Sequence, residues 1–278
     1  MDKFPVGQLV EVEEHEYRAW NAPSYSLLKH VAKTPAHALA HFLHPPEQTP
    51  AMRLGMLAHL AILQPTHFSK SVIQKPDGLD RRTREGKAQW AALEAQHPGA
   101  EVIDPDDYTT INDMAESAYI HPSASALLQC DRRLIEASFA WREPVDEVDV
   151  IVKARPDLIA RLPNGRTAVV DIKTTKDASP KGFAREVVNY SYLEQAAFYL
   201  RGLRALADVE RDWIWIAIEK EPPYAVGVYH AYLSDLAAAE QRIVGWLETW
   251  TRCCRSESWP AYSNEAEPLI VPEWAYRS

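Results

Sequence analysis

The 278 residues are enough to bury a full hydrophobic core, and 46% hydrophobic with 25% charged residues is the composition of an ordinary globular protein. The net charge of −9 at pH 7 argues against a protein that coats nucleic acid non-specifically, although an enzyme acting on DNA needs only local positive charge. No apolar run approaches the roughly 20 residues that span a bilayer, and the first residues lack an apolar signal segment, so we expect no membrane span and a cytoplasmic location.

The first half of the chain is predicted to be helical. Ser24 or Ser26 can cap an early helix, and Pro35 suits the first turn of the next one, because proline fixes a helical φ and needs no amide partner there. The predicted helices cover residues 27–31, 36–43, 52–63, 83–96, 105–118, 124–128 and 132–137.

Strand patterns begin near Ser138, where alternating and β-branched residues take over. Strands are predicted over 138–142, 148–155, 157–162, 167–173, 213–219 and 225–232, and helices over 181–188, 192–207 and 234–254. The triplet Pro163-Asn164-Gly165 favours a hairpin between the third and fourth strands. This order predicts an α/β (α+β) fold with a central mixed β-sheet flanked by helices. Without a Gly/Ser linker, we expect one domain over 1–278, with a helical part at 1–135, a core at 136–255 and a tail at 256–278.

The predicted hairpin can bring two acidic residues and a lysine together. Asp171 and Lys173 are two apart on one strand, so their side chains point to the same face, and Asp157 opens the partner strand. Two carboxylates a few Å apart repel each other unless a cation lies between them, and hard oxygen ligands suit Mg²⁺ or Mn²⁺. The pattern therefore suits metal-assisted hydrolysis of a phosphodiester bond, in which the lysine orients water or offsets charge on the phosphorus.

Asp-x-Lys alone is weak evidence, since many strands end in such a pair on their surface. The fuller pattern is stronger, because Pro-Asp157 precedes a turn and an apolar triplet that runs into Asp171-Ile-Lys173. Residues 151–204 also carry ten Lys and Arg against five Asp and Glu, and a second basic cluster contains Arg81, Arg82, Arg84 and Lys87. Either cluster is a DNA-contacting surface or a solvated face, and the sequence leaves both readings open.

The motifs resemble those of the PD-(D/E)xK nuclease superfamily, and within it the nuclease domains of the exonuclease VIII (RecE) and RecB-like groups. The matching segments are Arg155-Pro-Asp157, Asp171-Ile-Lys-Thr-Thr175, Gln195-Ala-Ala-Phe-Tyr199 and Gly55-Met-Leu-Ala-His59. The resemblance implies a restriction-endonuclease-like core. It also implies metal binding by His59, Asp157, Asp171 and the backbone carbonyl of Ile172, with Lys173 positioning the attacking water.

By the same resemblance, Gln195 and Tyr199 contact the substrate strand from one face of a helix. Glu136 lies where these nucleases often carry a glutamate before the first core strand, and the resemblance assigns it no role. Gly55 would allow the helix that carries His59 to approach the sheet closely.

The implied activity is a Mg²⁺-dependent exonuclease, with Mn²⁺ as a substitute, that resects 5′ strands from the ends of linear duplex DNA. The resemblance further implies a role in recombination, a single-strand annealing recombinase as partner, and a homo-oligomeric ring. Two alternatives remain: a RecB-like nuclease that trims single strands or flaps, and a catalytically silent DNA-binding protein of the same fold. Three cysteines cannot hold a four-cysteine iron–sulfur cluster, which argues against the iron–sulfur branch of the RecB-like group.

Overall fold

Proline and a preceding hydroxyl residue set the start of many helices. The computed structural model describes residues 4–131, 133–162 and 164–276. Its helices are α1 Glu14–Ala19, α2 Tyr25–Leu28, α3 Pro35–Leu43, α4 Pro50–Leu63, α5 Pro65–Ser71, α6 Arg84–Gln96, α7 Pro105–Ile120, α8 Pro122–Leu128, α9 Pro180–Asn189, α10 Tyr192–Leu206 and α11 Leu233–Ser256. At α3, α4 and α9, the side chains of Thr34, Thr49 and Ser179 accept from the third following amide, which satisfies a donor that the helix leaves free.

The strands form one central sheet and two smaller ones. They are β1 Leu9–Val10, β2 Val72–Gln74, β3 Glu101–Ile103, β4 Arg133–Ile135, β5 Ser138–Val145, β6 Val148–Ala154, β7 Leu158–Arg161, β8 Thr167–Thr175, β9 Arg211–Glu219 and β10 Val226–His230. The central sheet has the order β10-β9-β8-β7-β4, and the smaller sheets are β1-β5-β6 and β2-β3. Strands β8 and β9 are parallel, whereas β9–β10, β7–β8 and β4–β7 are antiparallel. The predicted mixed sheet is confirmed.

Helices cover both faces of the central sheet, and alternation along the strands separates two cores. Val169, Trp213 and Trp215 face the core that contains α2, α9, α10 and α11. Val170 and Ile172 face the second core, against α4, α7 and α8. Among the described residues, no helix is both long and apolar enough to cross a membrane. The assignment of the whole chain to a single domain stays a prediction.

The helix predicted over 132–137 is wrong. Residues 133–135 form β4, which pairs with β7 through Leu134 and Ile159, while Arg132 lies outside the described residues. A segment of six residues is too short to be a stable helix in isolation, so pairing with the open edge of β7 decides its conformation. Within the part predicted as helical, the short strands β1, β2 and β3 were also not anticipated.

Candidate active site

Asp171 and Lys173 project from β8 toward helix α10. Their neighbours Val170 and Ile172 point into the opposite core, as the alternation of side chains along a strand requires. Asp171 is only 2% exposed, and Lys173 Nζ lies 2.5 Å from its Oδ2. The acidic group is thus buried beside a cation that lies nearer to solvent.

Asp157 lies directly before β7, and the strand register brings it to the same place. The last pair of the β7–β8 ladder joins Leu158 to Val170. Beyond that pair, the Ile172 amide donates to Asp157 Oδ2 at 2.7 Å. Burial raises the pKa of Asp171 to about 6; the Lys173 ammonium opposes that rise and the Asp157 carboxylate adds to it. Asp157 and Asp171 are therefore close enough to repel each other.

His59 reaches this site from helix α4. Its Nδ1 lies 3.5 Å from Asp157 Oδ2. Gly55, one turn earlier, packs on β8 so closely that a Cβ there would lie 3.3 Å from Thr174 Oγ1. Burial, and then the charge of Lys173, lower the pKa of His59 to about 4, so the imidazole is neutral at pH 7, which is the form that binds metal ions.

Gln195 on α10 joins the two charged groups of β8. Its Oε1 accepts from Lys173 Nζ at 3.1 Å, and its Nε2 donates to Asp171 Oδ1 at 3.2 Å. Tyr199 follows one turn later and packs edge-on against Trp213, with ring centroids 5.9 Å apart. Burial, and then the charge of Asp171, raise the pKa of Tyr199, so this hydroxyl stays protonated and can act as a donor.

Glu136 lies at the border of the site and is tied to Asp157 by the backbone. Its amide donates to the Asp157 carbonyl at 2.9 Å, and its φ of 50° is in the left-handed region. The Glu136 carboxylate accepts from Arg155 Nη2 at 3.0 Å and from Gln64 Nε2 at 3.1 Å. This network holds the segment that carries Asp157.

These side chains open into one groove with a volume of about 1510 Å³. His59, Glu136, Asp157, Lys173, Gln195 and Tyr199 line it, and Asp171 and Ile172 lie beneath its floor. Acidic residues also line it, namely Glu11, Glu13, Glu14 and Glu16. Lys29, Tyr190 and Tyr192 are further lining residues. All eight residues singled out from the sequence thus lie in or under the groove.

Sequence reasoning missed two residues of this site. Arg155, which bonds Glu136, was named in the basic stretch and in the Arg-Pro-Asp motif segment, but no role in the site was predicted for it. Tyr192 has its ring centroid 4.6 Å from Lys173 Nζ. Its position was recoverable, because residues 192, 195 and 199 recur at helical spacing and share one face of α10.

Many of the cations in the basic stretch at 151–204 are not free at the surface. Several of its cations are bonded within the chain: Lys153 to the carbonyls of Tyr17, Arg18 and Trp20, Arg166 to Asp212, Arg201 to Glu143, and Arg204 to Glu240. Lys153 is 7% exposed. Much of the positive charge counted in the sequence therefore stabilises the fold.

The donor set suits a hard divalent cation. Asp171 is buried with Lys173 as its charged partner, the Asp157 carboxylate lies close enough to raise its pKa, and burial raises the pKa of Asp157 to about 6. Within the described residues, no group of three His, Cys, Asp or Glu side chains is arranged to hold a metal ion. Mg²⁺ usually takes only one or two carboxylates and completes its shell with water and phosphate oxygens, so Asp157 and Asp171 are a sufficient pair.

The sheet, its flanking helices and this trio of side chains define a class: a restriction-endonuclease-like protein of the PD-(D/E)xK nuclease superfamily. The profile of a family described as a PDDEXK-like domain of unknown function (DUF3799) matches residues 24–271, which is most of the chain. The chain belongs to that family. The resemblance to the PD-(D/E)xK nuclease superfamily is thereby confirmed.

Solved structures support the fold. The chain superposes on a candidate exonuclease from Eubacterium rectale with a TM-score of 0.56 and 10% identity, covering 96% of this chain and 98% of that chain. SSO0001 matches with a TM-score of 0.34 and 20% identity, covering 71% of this chain and 84% of that chain. Protein VC1899 from Vibrio cholerae matches with a TM-score of 0.22 and 9% identity, covering 85% of this chain and 57% of that chain. Both TM-scores are too low to carry an argument. No match was found among curated proteins.

Proposed function

We propose that this protein is a Mg²⁺-dependent DNA exonuclease that hydrolyses phosphodiester bonds at the ends of linear duplex DNA. The observation that carries the proposal is the proximity of Asp157, Asp171 and Lys173 at one groove, which is supported by the register of β7 on β8 and by the contacts of the three side chains. The family and the description of the Eubacterium rectale protein as a candidate exonuclease support it. Resection of the 5′ strand rests on the sequence resemblance.

The metal would be held by Asp157 and Asp171, with the Ile172 carbonyl and His59 as further ligands and Mn²⁺ as a substitute. When bound, it would polarise the phosphoryl oxygen, lower the pKa of a bound water and stabilise the leaving oxygen. Asp171 is buried and Asp157 is half-buried, and an added divalent charge would offset the repulsion between the two carboxylates.

The chain's own residues orient the reacting groups. Lys173 presents its ammonium to the groove, where it can hold a water or a phosphate oxygen and offset charge that develops in the transition state. Gln195 limits the movement of Lys173 by bonding both it and Asp171. Glu136 and Arg155 fix the backbone at Asp157, and Tyr199 offers a neutral hydroxyl to the substrate strand.

One observation favours a second candidate, a nuclease that trims single strands or flaps. The groove is lined by Glu11, Glu13, Glu14 and Glu16, and carboxylates beside the site repel the paired backbones of a duplex more than a single strand. A catalytically silent DNA-binding protein is the remaining alternative, and the presence of both acids and the lysine argues against it.

The test uses linear duplex DNA labelled at either its 5′ or its 3′ end, beside single-stranded, nicked circular and covalently closed DNA. We expect Mg²⁺-dependent release of labelled nucleotides from linear duplex, no cleavage of closed circles, and loss of activity with EDTA. Lys173→Ala should lower the rate by about a hundredfold or more, while Lys181→Ala, an exposed lysine at the start of α9, should match the wild type.

Three outcomes separate the alternatives. Faster cleavage of single strands than of blunt duplex supports the trimming nuclease. Tight binding without any Mg²⁺-dependent product supports the silent protein. Activity that persists in EDTA or in Asp171→Ala refutes the metal assignment. Light scattering coupled to size-exclusion chromatography tests the proposed ring, and a pull-down with a single-strand annealing recombinase tests that partnership.

A further inference from the structure

Two tyrosine rings stand beside the proposed active-site lysine. Tyr190 and Tyr192 have ring centroids 5.6 Å apart and an interplanar angle of 30°. The Tyr192 ring lies 4.6 Å from Lys173 Nζ and packs toward Phe183 on its other side. The Tyr190 ring is 57% exposed. The pair therefore leads from the reacting centre out to the rim of the groove, and its outer ring is available.

The backbone between the rings is held in an unusual conformation. Ser191 joins α9 to α10 with φ 56° and ψ 42°, in the left-handed region that a serine rarely adopts. The buried Tyr25 hydroxyl donates to the carbonyl of Ser191 and, at 3.2 Å, to that of Tyr190. Such a strained residue persists only when its surroundings over-determine it. Here the strained residue lies between two residues whose rings are side by side.

Lysines near these rings can attract the backbone of a nucleic acid. The pKa of Lys29 is lowered, first by burial and then by the positive charge of Lys173. The second effect means that the two ammonium groups lie close together. The acidic residues Glu11, Glu13, Glu14 and Glu16 also line the groove and repel phosphates. A strand whose phosphate reaches Lys173 brings its neighbouring nucleobases close to Tyr192, whose ring centroid is 4.6 Å from that ammonium. Aromatic side chains in such grooves stack the unpaired bases of single strands.

We propose that Tyr190, supported by Tyr192, is a stacking platform for one unpaired nucleobase of the DNA strand being cut. This inference rests on the proposed nuclease function and adds to it that the bound strand is unpaired at the site. Stacking on an aromatic side chain tolerates any base, because every base has a π-face. The platform thus selects single-stranded character and position along the strand, and not sequence.

The experiment measures binding of fluorescent single-stranded oligonucleotides by anisotropy in EDTA, together with KM and kcat in Mg²⁺. We expect Tyr190→Ala to raise Kd and KM roughly tenfold, with kcat changed less than about twofold because the interaction contributes equally to ground and transition states. Tyr190→Phe should match the wild type. So should Tyr232→Ala, whose ring is 76% exposed away from the groove.

A strand with one abasic position, moved stepwise along the oligonucleotide, identifies the stacked base without any variant. At one position the wild type should lose about the same tenfold, and Tyr190→Ala should cause no further loss there. Equal binding of Tyr190→Ala and wild type, or an effect of Tyr190→Ala that is the same for every abasic strand, overturns the platform. If those results accompany normal Mg²⁺-dependent cleavage, the nuclease function stands alone. If the wild type neither binds nor cleaves DNA, both fail together.

Discussion

The close approach of α4 to β8 at Gly55 provides a graded test of how the site is assembled. A Cβ on Gly55 would lie 3.3 Å from Thr174 Oγ1, and outside the adjoining backbone of α4 no other heavy atom of the described residues lies within 4 Å of it. Replacing Gly by Ala in a helix gains about 0.8–1 kcal/mol in helix propensity. The single contact with Thr174 is short by a few tenths of an ångström, and it costs less than that gain if the Thr174 side chain can shift. We therefore expect Gly55→Ala to raise the free energy of unfolding by zero to about 1 kcal/mol.

Activity should respond in the opposite direction, because His59 lies one turn after Gly55 and is 3.5 Å from Asp157. If a misplacement of about 1 Å costs roughly a hundredfold in rate, an outward shift of roughly 0.3 Å costs about fourfold. Gly55→Leu extends further toward β8, so we expect it to lose about 1–3 kcal/mol of stability and more than roughly tenfold in rate.

Urea unfolding and initial cleavage rates measure both effects, for each Gly55 variant alone and combined with Thr174→Ala, which removes the opposing hydroxyl. Gly55→Ala should be harmless in the Thr174→Ala background. A Gly55→Leu protein as stable and active as the wild type would refute the close packing of α4 on β8. A rate defect in Gly55→Ala that Thr174→Ala does not relieve would refute its steric cause.

Gly202→Ala should lower the free energy of unfolding by about 1–3 kcal/mol, because the added Cβ would lie 2.6 Å from a carbon of the buried Trp141 indole. The control Gly245→Ala, whose Cβ would meet no heavy atom of the described residues within 4 Å outside the adjoining backbone of α11, should not lower it. Urea unfolding of the two variants makes the comparison. Burial lowers the pKa of Lys153 to about 8. Above that pH Lys153 is neutral in the folded protein but still protonated in the unfolded chain, so the free energy of unfolding should rise between pH 8 and pH 10. The rise should be smaller in Lys153→Met, and thermal melts at each pH measure it. Mg²⁺ at about a hundred times its Kd should stabilise the wild type by about 2.7 kcal/mol, measured as a rise in melting temperature that Asp171→Ala lacks.

Local sequence chemistry was sufficient for much of the fold. Thr34 before Pro35, and Ser179 before Pro180, mark helix starts because they satisfy free amides and fix φ. The β7–β8 hairpin follows from period-two alternation on both sides of its turn, although Pro163 lies outside the described residues. Strand β4 could not be predicted in this way, since it depends on an open sheet edge supplied by residues more than twenty positions later.

The site was predictable where its members share a strand or a helix face. Asp171 with Lys173 follows from strand periodicity, and Gln195 with Tyr199 from helical spacing. The bond from Ile172 to Asp157 and the contact from His59 depend on how separate elements pack. Sequence motifs could indicate these contacts only through resemblance. The network of Glu136 with Arg155 and Gln64 depends on a left-handed backbone at Glu136, which no local pattern indicated.

The internal bonding of basic residues leads to a specific expectation for DNA binding. Several cations that line the groove already have partners: Arg18 with Glu14, Lys153 with backbone carbonyls, Arg155 with Glu136, and Lys173 with Asp171. Among the lysines and arginines of the described groove residues, this leaves Lys29 and Arg133 to neutralise phosphates outside the proposed active centre, where the charge of Lys173 is already paired.

Each phosphate neutralised on a single strand contributes about −0.7 to the slope of log K against log salt concentration. Contacts from Lys29 and Arg133 alone give a slope of roughly −1.4, whereas contacts from all ten basic residues at 151–204 would give roughly −7. A salt titration of single-strand binding should therefore be shallow, with the divalent ion and base contacts supplying most of the affinity. A slope steeper than about −4 would mean that the internal ion pairs open to bind DNA, and the groove would then have to be described as an electrostatic channel.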